Sequence, residues 1–162
     1  AQLQSRGVTH WACELIGDGE LRAEFERLAK ELRIDHNLVF HGRVSDSEKW
    51  QLLINGDVHV LPSTTRAEAF GLVTVEAMTA GIPSFVSNLP GVRSLVKDGV
   101  TGFIIPVNDA KYLSERLETL LQAPELLATM KQEAKDFSVN FNKQKLVEHL
   151  MSIYEEVKVN RS

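Results

Sequence analysis

Short apolar runs alternate with amphipathic helical patterns along this chain, and that rotation limits what it can fold into more than any other feature. Strands are expected near Ala12–Ile16, Leu38–Phe40, Val58–Leu61, Ser84–Val86 and Gly102–Ile104. Helices are expected near Glu20–Leu32, Asp46–Asn55, Leu72–Ala80, Val92–Lys97, Ala110–Leu121, Pro124–Asp136 and Lys143–Val157. Strand and helix in strict rotation argue for a parallel sheet covered on both faces. The expected fold class is therefore α/β, a doubly wound parallel sheet. Local signals agree with the helix bounds. Ser45 and Asp46 open a helix with Glu48 in its first turn, and Pro124 suits the first position of another. Leu113, Leu117, Leu120 and Leu121 recur at helical spacing, which is core packing. With 162 residues, 43% of them hydrophobic, a single domain spanning residues 1–162 with a full core is expected.

The chemistry concentrates between two carboxylates, Glu68 and Glu76. Between them lie Gly71 and an apolar helix signature that stops at Gly81, with Pro83 just beyond. Phe70, Gly71 and Leu72 would present free backbone N–H groups at a helix N-terminus, and no side chain obstructs the approach at Gly71. Such a terminus carries roughly half a unit of positive charge and holds phosphate or diphosphate readily. Glu76 falls one turn inside the helix, on the face of Leu72, about 6 Å further along at 1.5 Å per residue. Because that helix is apolar nearly all round, a carboxylate in it needs a partner or a ligand. An anion cradle between two hydroxyl-accepting carboxylates suits a nucleotide diphospho-sugar.

This segment and its surroundings resemble the donor-binding, C-terminal half of the retaining GT-B glycosyltransferases, the family 4-like or group 1 enzymes. The resemblance runs through Ile16-Gly-Asp-Gly19, Val39-Phe-His-Gly42 with Val44, and Gly56-Asp-Val-His-Val-Leu-Pro-Ser63. It continues through Arg66-Ala-Glu-Ala-Phe-Gly-Leu72, Glu76-Ala-Met78, Gly81-Ile-Pro83 and Asp98-Gly-Val-Thr-Gly-Phe103. It implies a Rossmann-like half of a GT-B fold that binds a nucleotide diphospho-sugar and transfers a hexose to a polysaccharide, oligosaccharide or lipid-linked acceptor. It also implies that Glu76 takes the ribose hydroxyls and that Glu68 takes hydroxyls of the transferred sugar. Glu68 is the one candidate for a catalytic role, by positioning that sugar, and Glu68, Ala69, Phe70, Gly71 and Leu72 line the donor. A nucleotide-sugar epimerase, a sugar phosphorylase and a non-catalytic nucleotide-binding module remain alternative readings.

In open α/β sheets ligands gather at the carboxyl ends of the strands, which makes the other loops there candidates too. Gly17-Asp-Gly19 follows a strand and opens a helix, which lets backbone approach a phosphate or base. It is no dinucleotide fingerprint, since Arg22 stands where a third glycine would be expected. The resemblance makes Arg43 and Val44 candidates for reading the base. Ser63 with Thr64 and Thr65 can donate to phosphate oxygens, and Arg66 can pair with Glu68 or reach the donor. The loop Asn88-Leu-Pro-Gly91 with Val92 occupies a place where the family often shows two glycines, and here Pro90 replaces the first.

Several classes are disfavoured. A formal net charge of −4, without a basic stripe carrying interleaved aromatics, argues against nucleic-acid binding. His10, His36, His41, His59 and His149 form no i, i+4 pair and have no cysteine neighbours, so neither metal nor cofactor is expected. Cys13 is the only cysteine and reads as a core filler in a reducing compartment. No apolar stretch approaches a membrane span. A cytoplasmic enzyme is expected, and the lipid-linked acceptors of the family place it near the inner face of a membrane as a peripheral protein. Residues 1–7 look like the end of a helix running straight into the first strand. Family members carry an earlier strand, a loop whose arginine and lysine grip the diphosphate, and an N-terminal acceptor domain. The expectation is thus one half of a two-domain enzyme that lacks its first strand and is inactive alone.

Overall fold

A computed structural model of the chain describes residues 1–65 and 71–141. Five short strands appear in the order expected: β1 (Cys13–Ile16), β2 (Leu38–Gly42), β3 (His59–Leu61), β4 (Ser84–Ser87) and β5 (Gly102–Ile105). Helices α1 (Gln2–Ser5), α2 (Arg22–Glu31), α3 (Asp46–Asn55), α4 (Leu72–Thr79), α5 (Ala110–Leu121) and α6 (Pro124–Ser138) alternate with them. The α/β, Rossmann-like class holds. The segment expected as a helix over Val92–Lys97 is instead a 3-10 turn, Val92–Leu95. The final helix expected over Lys143–Val157 lies outside the described residues.

Every pairing is parallel, but the strands form two sheets, β1-β2 and β3-β4-β5, where one was expected. The outer edges of β1 and β3 face a common groove of about 390 Å³, with Cys13, Leu15 and Ile16 on one side and Val58, His59 and Val60 on the other. No described strand lies between them, and that gap is what separates the sheets.

The core belongs to the three-stranded sheet. All four residues of β4 are buried. Phe85 packs with Ile105, Leu120 and Met130, and meets Phe103 edge-on with ring centroids 5.1 Å apart. The leucine stripe of α5 and the apolar face of α6 close this cluster, so the helical periodicity in the sequence marks contact with β4 and β5. Gly102 is obligatory at the crossing. A Cβ there would lie 1.9 Å from the Ser84 carbonyl oxygen, so any side chain would part β4 from β5. The Asp98–Phe103 motif is therefore a structural clasp, with Asp98 Oδ1 accepting from the Ile104 N–H at 2.9 Å.

Helix starts follow the sequence chemistry. Ser45 caps α3 in a reciprocal box with Glu48, whose carboxyl these hydrogen bonds hold below its usual value. Pro124 opens α6. The single turn of α1 is fastened to α5 by Arg6, which reaches Glu115 and Glu118 at 3.0 and 3.2 Å. Cys13 corrects the sequence reading. It is exposed at the outer edge of β1 and fills no core, because no strand among the described residues covers that edge.

Candidate functional site

The N-terminus of α4 is where sequence and geometry meet most closely. The chain leaves β3 at Leu61 and re-enters as α4 through Gly71, whose φ of 75° and ψ of 49° are left-handed. A Cβ on Gly71 would also lie 3.0 Å from Val92 and 3.4 Å from Leu95, so both backbone angle and packing demand glycine. As the N-cap residue it supplies no side-chain acceptor to the first turn. Leu72, first in the helix, is 69% exposed, whereas Gly71 beside it is buried. The Thr74 hydroxyl, in the first turn, is buried and has no hydrogen-bond partner among the described residues. The Gly91–Val92 turn packs against this same first turn, which places the Asn88–Val92 loop beside the helix terminus.

Glu76 follows one turn later, and its partner is a residue the sequence reading missed. Lys49 on α3 donates from Nζ to Glu76 Oε1 at 2.8 Å and also lies 3.3 Å from Asp46. Glu76 raises the pKa of Lys49, so the ammonium stays charged through the neutral range. Beside them, His59 on β3 is largely buried, with Nδ1 3.3 Å from Ser84 Oγ. Burial drives its pKa down to about 4 against the opposing pull of Glu76, and the imidazole is neutral at pH 7. The requirement for a partner to Glu76 was legible in the apolar character of α4. That the partner is Lys49 was not, since the two lie 27 residues apart and meet only through the packing of their helices.

The loops after β1 and β2 come together as well. The Gly17 N–H donates to the Gly42 carbonyl at 2.8 Å. Arg22, which breaks the dinucleotide pattern, instead bonds the Phe40 carbonyl at 3.1 Å and Glu26 at 2.9 Å, tying α2 to the end of β2. Gly17 and Gly19 line a groove of about 500 Å³. Val44 lines a separate hollow of about 310 Å³ with His41, Ser47, Glu48, Gln51 and Leu52. Arg43 is exposed, and Ser63 is half-buried at the exit of β3. Lys49 stands five residues after Val44 and links this loop region to α4. Arg66, Glu68, Ala69 and Phe70 lie outside the described residues.

Comparison with known proteins adds the following. The family model for glycosyl transferases group 1 matches residues 1–137. A phosphatidyl-myo-inositol mannosyltransferase of Mycolicibacterium smegmatis is 32% identical over 146 residues, covering 88% of this chain and 36% of its own length. An alpha-D-kanosaminyltransferase of Streptomyces kanamyceticus is 29% identical over 160 residues, covering 97% of this chain and 40% of its own. Among solved structures, HepE of Anabaena in complex with UDP superposes with a TM-score of 0.80 at 25% identity, over 93% of this chain and 43% of that one. Its complex with UDP-glucose gives 0.74 at 28% identity, over 87% and 41%. The chain thus spans well under half the length of these relatives.

Proposed function

The chain belongs to the glycosyl transferases group 1, and from that premise we propose that it is the nucleotide-sugar-binding half of a retaining hexosyltransferase. The observation that carries this reading is the N-terminus of α4, entered through the left-handed Gly71, with Glu76 one helical turn inside it. Main-chain N–H groups there bind the diphosphate and stabilise the negative charge that grows on it as the glycosidic bond breaks. Glu76 accepts from the ribose hydroxyls, and Glu68 orients the transferred sugar so that the acceptor meets one carbon from one direction. Gly17 and Gly19 approach the nucleotide through backbone, and Val44 and Arg43 flank the base. Ser63 donates to the phosphates, and Arg66 serves as a cationic ligand for the donor. HepE with UDP and UDP-glucose supports a uridine nucleotide as the first donor to try.

The helix terminus does the neutralising that other transferases give to a divalent ion, so the reaction needs no metal. The acceptor is a saccharide or lipid-linked chain held by a second domain, and the enzyme works on the cytoplasmic side, peripherally. Among the described residues no helix is long and apolar enough to cross a membrane. We propose further that this domain alone is inactive, and that in the intact enzyme an extended strand lies in the groove between β1 and β3. The two edges, which pair with no strand among the described residues, and their apolar lining support that placement.

Calorimetry with UDP tests the reading. Weak binding is expected, equal with magnesium and with chelator. Glu76→Ala should weaken it by about 1–3 kcal/mol, as for loss of a charged hydrogen-bond partner. Equal affinity in wild type and variant, with both folded, would remove Glu76 from the site. In the intact enzyme the product should be a new glycoside of retained configuration; a free epimer or a sugar phosphate would overturn the transferase assignment.

A further inference from the structure

We propose that Lys49 is a positioning residue for the nucleotide: its ammonium grips one oxygen of Glu76 and thereby aims the other at the ribose. The proposal rests on the reading of Glu76 as the ribose ligand, and goes beyond it by naming what holds that ligand in place.

Three features of the geometry carry it. First, the contact is single-sided. Lys49 Nζ engages Oε1 at 2.8 Å, while among the described residues Oε2 accepts no hydrogen bond. A carboxylate offers about four acceptor sites on its two oxygens, so the pairing leaves most of its capacity for hydroxyl donors. Second, the pair is half-sheltered, with side chains 22% and 32% exposed for Lys49 and Glu76. The competing contact to Asp46 is longer, at 3.3 Å, and that aspartate side chain is 94% exposed, so Glu76 is the ammonium's principal partner. Third, α4 supplies Glu76 no side-chain donor. Of its neighbours three and four residues away, Leu72, Val73 and Ala80 have none to give, and the Thr79 hydroxyl donates instead to the Val75 carbonyl at 2.8 Å. A glutamate has three rotatable bonds, and without the lysine it would sample orientations that point away from a ligand. Fixing one oxygen before the nucleotide arrives removes that ordering cost from the binding step.

Lys49 stands on α3, directly after the loop that holds Arg43 and Val44, whereas Glu76 stands on α4 behind the phosphate cradle. The ion pair therefore also sets the base end of the site relative to the phosphate end. A purely structural strut would do that much; a positioning residue does more, because its effect passes through hydroxyls of the ligand.

That difference supplies the test. UDP and 2′,3′-dideoxy-UDP are titrated calorimetrically into the chain and into the variants Lys49→Met, Lys49→Arg and Glu76→Gln, each checked for an unchanged thermal transition. Lys49→Met should weaken UDP about 5- to 10-fold, leave dideoxy-UDP within about 2-fold, and add nothing when combined with Glu76→Gln, as expected of residues acting through one contact. Lys49→Arg, which keeps the charge, should recover most of the loss. Equal weakening of both nucleotides by Lys49→Met would reduce Lys49 to a strut and overturn the inference. So would a loss of UDP affinity in Glu76→Gln with none in Lys49→Met. If instead Glu76→Gln binds UDP as the wild type does, or the wild type binds none, the parent reading of Glu76 fails and takes this one with it. Should Lys49→Met unfold, Lys49→Gln carries the same comparison.

Discussion

The two sheets of this domain are made of similar residues and end in opposite states. In the three-stranded sheet, β4 is buried along its whole length, and Phe85, Val86, Met78 and Leu120 expose nothing. In the two-stranded sheet every residue of β1 is exposed. Ile16 stands at 42% and Val39 at 46%. Beside them α2 shows solvent an apolar face, Leu21, Phe25, Leu28 and Leu32, spaced as a core-facing helix would be. Apolar patterning reports what a segment is built to bury, whereas exposure reports what it meets within this stretch of chain. The difference teaches that the β1–β2 half is patterned for neighbours that the described residues do not supply. The groove between β1 and β3 lies on that boundary.

The largest expected effect comes from truncating one side chain in each half. Phe85→Ala should cost about 3–5 kcal/mol, since it opens a cavity in a closed cluster. Against a total of about 5–15 kcal/mol for a domain, that is enough to unfold a marginal one. Ile16→Ala should cost about 1 kcal/mol or less, since its side chain already meets water. Urea denaturation of both variants decides the matter, and equal costs would break the contrast. Repeating Ile16→Ala in a longer polypeptide that fills the groove sharpens it: the cost should then rise toward the core value.

That contrast also explains what the sequence could and could not disclose. Among the described residues, all five strands and the helices α2 to α6 were legible because caps, glycines and periodicity are local signals. The Val92–Leu95 turn misled because Arg93 and Ser94 continue an apparently helical pattern, and only its packing under Gly71 shows a tighter coil. Cys13 misled for a deeper reason. It sits in a run with the composition of a buried strand, and composition does not show which edge of that strand goes without a neighbour among the described residues. At the candidate site, the turn at Gly71 and the need of Glu76 for a partner were legible because each residue breaks a local pattern. Lys49 and His59 were not, since a lysine on a helix and a histidine in a strand are unremarkable until folding sets them beside Glu76.

His59 lies on the boundary between the halves and gives the next effect. Its folded pKa, lowered by burial to about 4, is below the ordinary value near 6.5. The unfolded chain therefore binds a proton that the folded one refuses, so stability is full above about pH 6.5 and declines as pH falls toward 4. The loss from this group approaches about 3 kcal/mol at the lower end, at 1.36 kcal/mol per unit. Thermal or denaturant unfolding across that window should show the slope, and His59→Phe should flatten it. A slope unchanged in the variant would assign the acid sensitivity to other groups.

The smallest effect concerns Cys13, and it reads the groove directly. The thiol is accessible on the edge of β1, yet local desolvation, aided by the neighbouring Glu14 charge, pushes its pKa above the ordinary thiol value. Accessibility and reactivity should therefore part company. At pH 7.5 a small maleimide should modify Cys13 to completion but more slowly than a free thiol, because only the thiolate attacks. The rate should keep rising past pH 9, where an unperturbed cysteine has begun to level off. Filling the groove with a strand would cover the same sulfur, so in a longer polypeptide the labelling should slow further. If Cys13 reacts there as fast as it does here, the edge of β1 is open in both, and the boundary between the two halves belongs to the fold itself.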